Sequence, residues 1–157
     1  MMKRAKGTRL LLVVPLAAAV ALASCASIQR SQDQGTVREV ANLINSGDSA
    51  KLATLSASPF LIDGEIVPLP TDVVSFWQGI ARAGFRVEGA ALDHGAPVGA
   101  DSYKDFADTM EVKSFFTRYV KDGARVLELT TAAGTRIRLL TRSQGFGWKI
   151  LGFKGPF

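Results

Sequence analysis

The chain has a single cysteine, Cys25, and a single histidine, His94, in 157 residues. One cysteine excludes an internal disulfide framework. One histidine without a second thiol leaves no zinc-ligand set, and the acidic spacing of a calcium loop is missing too. No Gly-x-Ser-x-Gly elbow or Ser-x-x-Lys motif occurs, so the common signatures of serine hydrolases are absent. Glycine is plentiful, yet no phosphate-cradling spacing appears; the glycines of "GFGWKILGFKG" punctuate a strand. There is no internal repeat, and no apolar run reaches the roughly 20 residues of a comfortable membrane span. Neither a metal nor an organic cofactor is implied.

The first nine residues carry Lys3, Arg4, Lys6 and Arg9 and no acid, and Leu10 to Ala23 carries no charge. A basic leader, a short apolar stretch and small residues at its end make a secretory signal. Its ending, Leu22-Ala23-Ser24-Cys25, resembles the bacterial lipobox. That resemblance implies a signal peptide of residues 1–24, cleavage before Cys25, a diacylglycerol on its thiol and acylation of the new amine. Each buried methylene contributes about 0.8 kcal/mol; one acyl chain holds marginally and two hold stably. Lipidation of Cys25 would remove its thiol as nucleophile or ligand. The membrane would be a partner through the acyl chains, and the location the cell envelope, facing the periplasm or exterior. Ala26, in the place where an aspartate would retain the protein on the inner membrane, favours the outer one. The alternative is a plain exported protein with a chance cysteine.

The leader holds four of the 19 basic residues and none of the 14 acidic ones, so the remainder is nearly neutral. That is no footprint for nucleic acid. Ser27 to Gly35 is polar without apolar period and reads as a flexible tether, making residues 25–35 linker and 36–157 one domain. Thr36 with Glu39 fits a capping box, and Val37, Val40, Ala41 and Ile44 mark a helical face. Asp48 or Ser49 caps a second short helix. Phe60–Asp63, Gly64 and Glu65–Val67 read as a hairpin. Thr71 opens a third helix, with Val73, Phe76, Trp77, Ile80 and Ala81 on one stripe and Gly84 behind it. Phe85–Val98 reads as a strand and Thr109–Val120 as a helix.

The end reads as an antiparallel meander. Arg125–Thr131 and Thr135–Arg142 flank Ala132-Ala133-Gly134, a three-residue turn. If Thr131 faces Thr135, Leu129 meets Ile137, Leu127 meets Leu139 and Glu128 meets Arg138, with apolar residues on one face and an ion pair on the other. Trp148–Lys154 is the last strand. The class is α+β, with helices packed on one face of a curved antiparallel sheet.

Ala41 to Val67, "ANLINSGDSAKLATLSASPFLIDGEIV", resembles the opening of the nuclear-transport-factor-2-like (SnoaL-like) superfamily: a helix ending in Gly-Asp, a short leucine-bearing helix, then a strand running into a turn. The resemblance implies a cone with a pocket at its wide end, and here an extra helix before the last three strands that could cover the mouth. Superfamily members often pair through the open sheet, so a homodimer through the sheet is expected. Fold alone does not decide function. In the superfamily's ketosteroid isomerases, a general-base aspartate falls near Asp63, whereas the oxyanion-stabilising tyrosine falls on Val40, which has no proton to donate. Asp63 is thus a weak catalytic candidate and a better turn residue.

Other chemistry is thin. Asp93 and His94 are neighbours, but successive strand residues point to opposite faces. Arg136, Arg138 and Arg142 share one strand face, with Lys149 near, and suit an anionic partner or a solvated face paired with Glu128. Trp77, Phe116, Tyr119 and Trp148 are candidates to line an apolar pocket. The expected role is a non-catalytic domain that binds a small hydrophobic ligand or an envelope protein. The rivals are a small isomerase or hydratase using Asp63 with Tyr103 or Tyr119, and a structural envelope module with a filled core.

Overall fold

The computed structural model describes residues 13–145 and 147–156, with side chains from residue 26 onward. The expected leader up to residue 12 and the Cys25 side chain lie outside the described residues. Among the described residues no helix is long and apolar enough to cross a membrane. The chain divides into two units, Met1–Gln32 and Asp33–Phe157.

In the first unit, the described segment is helical: α1 runs Val13–Ser46 and continues into the second unit. This corrects the expected flexible tether. Helix persists through Ser27–Gly35, and Thr36 is not a cap but an interior residue. The polar run misled because a helix needs no apolar period where it faces water.

In the second unit, α1 is followed by α2 (Ser49–Leu55), β1 (Ser56–Ile62), β2 (Glu65–Val67), α3 (Pro70–Arg82), β3 (Ala91–Pro97), a 3-10 turn (Ser102–Asp105), α4 (Met110–Tyr119), β4 (Ala124–Thr130), β5 (Arg136–Gln144) and β6 (Gly147–Lys154). The six strands form one curved, unclosed sheet in the order β2-β1-β6-β5-β4-β3. The class is α+β, as expected.

Local chemistry places most boundaries. The Asp48 side chain accepts from the Lys51 N–H and starts α2; that of Thr109 accepts from the Val112 N–H and starts α4. Pro70, not Thr71, opens α3: its missing N–H costs nothing in the first turn. Asp63 (φ 48°) and Gly64 (φ 95°) both take the left-handed conformation that a two-residue hairpin turn needs. In the Thr131–Thr135 turn, the Thr131 N–H donates to the Thr135 carbonyl, with Gly134 at φ 79°.

The expected register of β4 on β5 is the observed one: Leu129 opposes Ile137, Leu127 opposes Leu139 and Glu128 opposes Arg138. Three features differ. β1 pairs with β6 in parallel, inside an otherwise antiparallel sheet. The strand expected from Phe85 starts only at Ala91, because Val87 turns its N–H to the Asn45 side chain, 2.7 Å away, instead of a neighbouring strand. And the helices cover both faces, not one. Leu127, Leu129, Ile137, Leu139, Ile150 and Phe153 pack with residues of α1, α2 and α3. On the opposite face Val126, Leu140, Leu61 and Leu151 pack with Tyr103, Phe106 and the α4 residues Val112, Phe115 and Phe116. The extra helix therefore sits behind the sheet, away from the face that holds α1–α3.

Candidate functional site

The four aromatic candidates divide between the two faces. Trp77 and Trp148 belong with the α1–α3 side; Phe116 and Tyr119 belong to α4 behind the sheet. Trp77 is fully buried, and its ring lies 4.8 Å from Phe76, 5.5 Å from Phe153 and 6.1 Å from Phe60. Its Nε1–H donates to the Ser56 hydroxyl at 2.9 Å, and that hydroxyl donates to the Leu52 carbonyl at 2.9 Å. Trp77 is thus packed in the core with its one polar atom satisfied. Trp148 is half-buried at the start of β6, and its Nε1–H reaches Glu39 at 3.3 Å. Phe116 is buried; Tyr119 is 43% exposed, its ring 5.5 Å from Phe115.

Asp63 sits on an exposed turn. Its backbone N–H donates to the Phe153 carbonyl at 3.0 Å, and its carboxylate accepts the Gly155 N–H at 2.8 Å. That carboxylate ties the β1–β2 turn to the end of β6. Val40 is fully buried in the core. Tyr103 is buried behind the sheet, with the ammonium groups of Lys104 and Lys113 5.8 and 5.7 Å from its ring centre. His94 is exposed at a bulge in β3 opposite Glu128. Hydrogen bonding to Lys104 at 2.9 Å holds the exposed Asp101 carboxyl below its ordinary range and raises the Lys104 ammonium in turn.

The arginine face is paired, not open. Arg138 donates to Glu128 at 2.9 Å and to the Asp105 carbonyl at 2.8 Å; Arg136 approaches Glu128 at 3.5 Å. Lys154 donates to the Asp105 and Phe106 carbonyls at 2.9 and 2.7 Å. These cations hold the end of the 3-10 turn against the sheet. Lys149 donates to the Thr54 carbonyl at 2.6 Å, and Arg142 opposes it across the strands.

A concavity lies elsewhere, between α2, α3 and the start of β1. It has a volume of about 370 Å³, and its walls are mostly small or apolar: Ala50, Ala53, Ala57, Pro70, Val73 and Val74. Ser49, Thr54, Ser58, Gln78 and Ser56, which holds Trp77, also line it. Such a groove accepts an apolar body and offers hydroxyls and one amide for orientation.

No family model and no curated protein matches the chain. Among solved structures, it is similar to a domain of unknown function with a cystatin-like fold from Nostoc punctiforme, at 15% identity and TM-score 0.41, covering 79% of this chain and 74% of that one. It is also similar to an NTF2-like protein with a cystatin-like fold from Novosphingobium aromaticivorans, at 14% identity and TM-score 0.43, covering 93% of this chain and 90% of that one.

One functional-looking pair escaped sequence reasoning. Asp33 is only 4% exposed and accepts from Arg125 at two points, Nε at 2.8 Å and NH2 at 2.7 Å. Its signal was present: position 33 precedes Val37, Val40, Ala41 and Ile44 on the same helical face. The pair is a structural clamp; Asp33 is the most buried titratable residue among the described residues, ahead of Tyr103.

Proposed function

We propose that the chain is an exported, lipid-anchored binding protein of the cell envelope. Its nuclear-transport-factor-2-like domain performs no catalysis and holds a small apolar molecule in the groove between α2, α3 and β1. The observation that carries the binding role is that groove: about 370 Å³, within the usual span of roughly 300–1,000 Å³ for ligand sites, with alanine, valine and proline walls interspersed with serine, threonine and glutamine. Two observations support the non-catalytic reading. The Asp63 carboxylate is engaged in a turn-to-strand hydrogen bond, and the interior beside Trp77 is packed with aromatic rings. The anchor rests on Leu22-Ala23-Ser24-Cys25; acyl chains there leave the folded domain free of any need to bind the bilayer itself.

The uncharged dye N-phenyl-1-naphthylamine tests the groove. The full chain should enhance its fluorescence saturably. Because Ser56 lines the groove and bonds to Trp77, the tryptophan emission should shift in step. Ala50 is exposed on the groove wall, so Ala50→Trp fills the space without disturbing the core, and it should abolish both responses. Equal dye binding by Ala50→Trp would refute the site.

A further inference from the structure

The polar groups lining the α2–α3 groove are of two kinds. Three hydroxyls have already committed their proton. That of Thr54 donates to the Ala50 carbonyl at 2.9 Å, that of Ser56 to the Leu52 carbonyl at 2.9 Å, and that of Ser58 to the Pro68 carbonyl at 2.7 Å. The first two bonds run back four residues, an arrangement the helical backbone itself supplies. A hydroxyl has one proton and two lone pairs, so toward anything in the groove these three oxygens can only accept. Ser56 spends one lone pair on the Trp77 Nε1–H, which leaves Thr54 and Ser58 with more accepting capacity. The second kind is uncommitted. Among the described residues, the Ser49 hydroxyl and the Gln78 side-chain amide make no hydrogen bond within the chain. Each can donate as well as accept.

Every lining side chain is neutral. An ion entering the groove would lose part of its hydration and meet no opposite charge in return. A wholly apolar guest would leave the spare lone pairs of Thr54 and Ser58 without a donor where it displaced water, and such unmade bonds cost free energy. The guest that matches the lining is therefore uncharged, apolar along most of its length, and carries a group able to donate and accept at once.

We infer that the ligand of this groove is a neutral amphiphile, an aliphatic chain bearing a free hydroxyl. Its hydroxyl donates to the Thr54 or Ser58 oxygen and accepts from the Gln78 amide, while the chain lies on the alanine, valine and proline walls. An ether of the same chain can only accept, and a carboxylate or quaternary ammonium brings an unmatched charge. The inference rests on the groove being the binding site, as proposed above, and adds the chemical class of what it binds.

Displacement of N-phenyl-1-naphthylamine from the full chain tests it, with decanol, decyl methyl ether, decanoate and decyltrimethylammonium as competitors. Half-displacement should need about fivefold less decanol than ether, the size of one net hydrogen bond. That order opposes simple apolar burial, because the ether is the more apolar of the two. Both ions should be weaker than decanol by about tenfold. Thr54→Val keeps the side-chain shape and removes the acceptor, and Gln78→Leu removes the amide. Both positions are exposed, so circular dichroism should be unchanged in the double variant. That variant should still bind the dye but lose the preference for decanol. Dye released equally by decanol and ether, tighter binding of either ion, or a decanol preference that survives the double variant would each overturn the hydroxyl-bearing ligand while leaving an apolar groove. Absence of dye binding by the unsubstituted chain would instead remove the groove as a site, and this inference with it.

Discussion

Asp33 of α1 and Arg125 of β4, 92 positions apart, form a two-point ion pair with contacts of 2.8 and 2.7 Å. The carboxylate is almost wholly enclosed, while the guanidinium keeps some contact with water. Gly95 of β3 makes the space: a β-carbon there would stand 2.5 Å from the Asp33 oxygen. Three elements are thus held at one point by one charged pair and one missing side chain.

Removing one member strands the other. Asp33→Ala leaves an uncompensated, half-buried guanidinium and should cost about 3 kcal/mol, toward the low end for a buried pair because Arg125 is partly solvated. The drop is read from the denaturant midpoint. Gly95→Ala should also destabilise the chain, but less so in the Asp33→Ala background, where the clash is relieved. Strict additivity of the two would show that Gly95 and Asp33 are uncoupled.

Trp77 is the largest buried side chain in the core. Trp77→Ala should cost about 4 kcal/mol, combining lost burial with the cavity left behind. Ser56→Ala keeps the packing but leaves Nε1–H without its acceptor, which should cost about 1–2 kcal/mol and shift tryptophan emission. Thermal denaturation followed by fluorescence ranks the two, and the opposite ranking would mean that the aromatic cluster is not what holds α3 on the sheet.

Arg138 and Lys154 both donate to carbonyl oxygens at the end of the 3-10 turn. Charged hydrogen bonds contribute about 1.5–3 kcal/mol each. The double variant Arg138→Met with Lys154→Met should therefore speed amide exchange through residues 102–119 while leaving β4–β6 protected. Uniform acceleration across the sheet would show instead that the turn and α4 do not open as a separate unit.

How far the chain could be read in advance follows from which physical signals are local. The β4–β5 register was legible because Leu127, Leu129, Ile137 and Leu139 alternate with Glu128 and Arg138, and only one alignment puts like with like. The helix at α4 was legible from the helical spacing of Val112, Phe115, Phe116 and Tyr119. The start of the domain was not. Thr36 and Glu39 mimic a capping box inside a longer helix, and the buried Asp33 looks like solvent-facing polarity until Arg125 is seen beside it. The parallel β1–β6 pairing was equally hidden, since nothing in either strand's pattern names a distant partner. The aromatic candidates showed their burial in the sequence but not their side. Trp77 and Phe116 have similar helical spacing, yet the sheet lies between them. Asp63 read correctly as a turn residue, but its bond to Gly155 depends on where the chain returns ninety-two positions later. The α2–α3 groove was missed altogether, because alanines and serines carry little signal.

The central claim, a binding domain held on a membrane by lipid, rests on the fate of position 25. Growing the producing cells with labelled palmitate and isolating the full-length gene product measures it directly. The account predicts label in the membrane-bound chain, loss of the first 24 residues, and no label in Cys25→Ser. A chain that keeps its leader and a free Cys25 thiol, or one whose label survives Cys25→Ser, would contradict it.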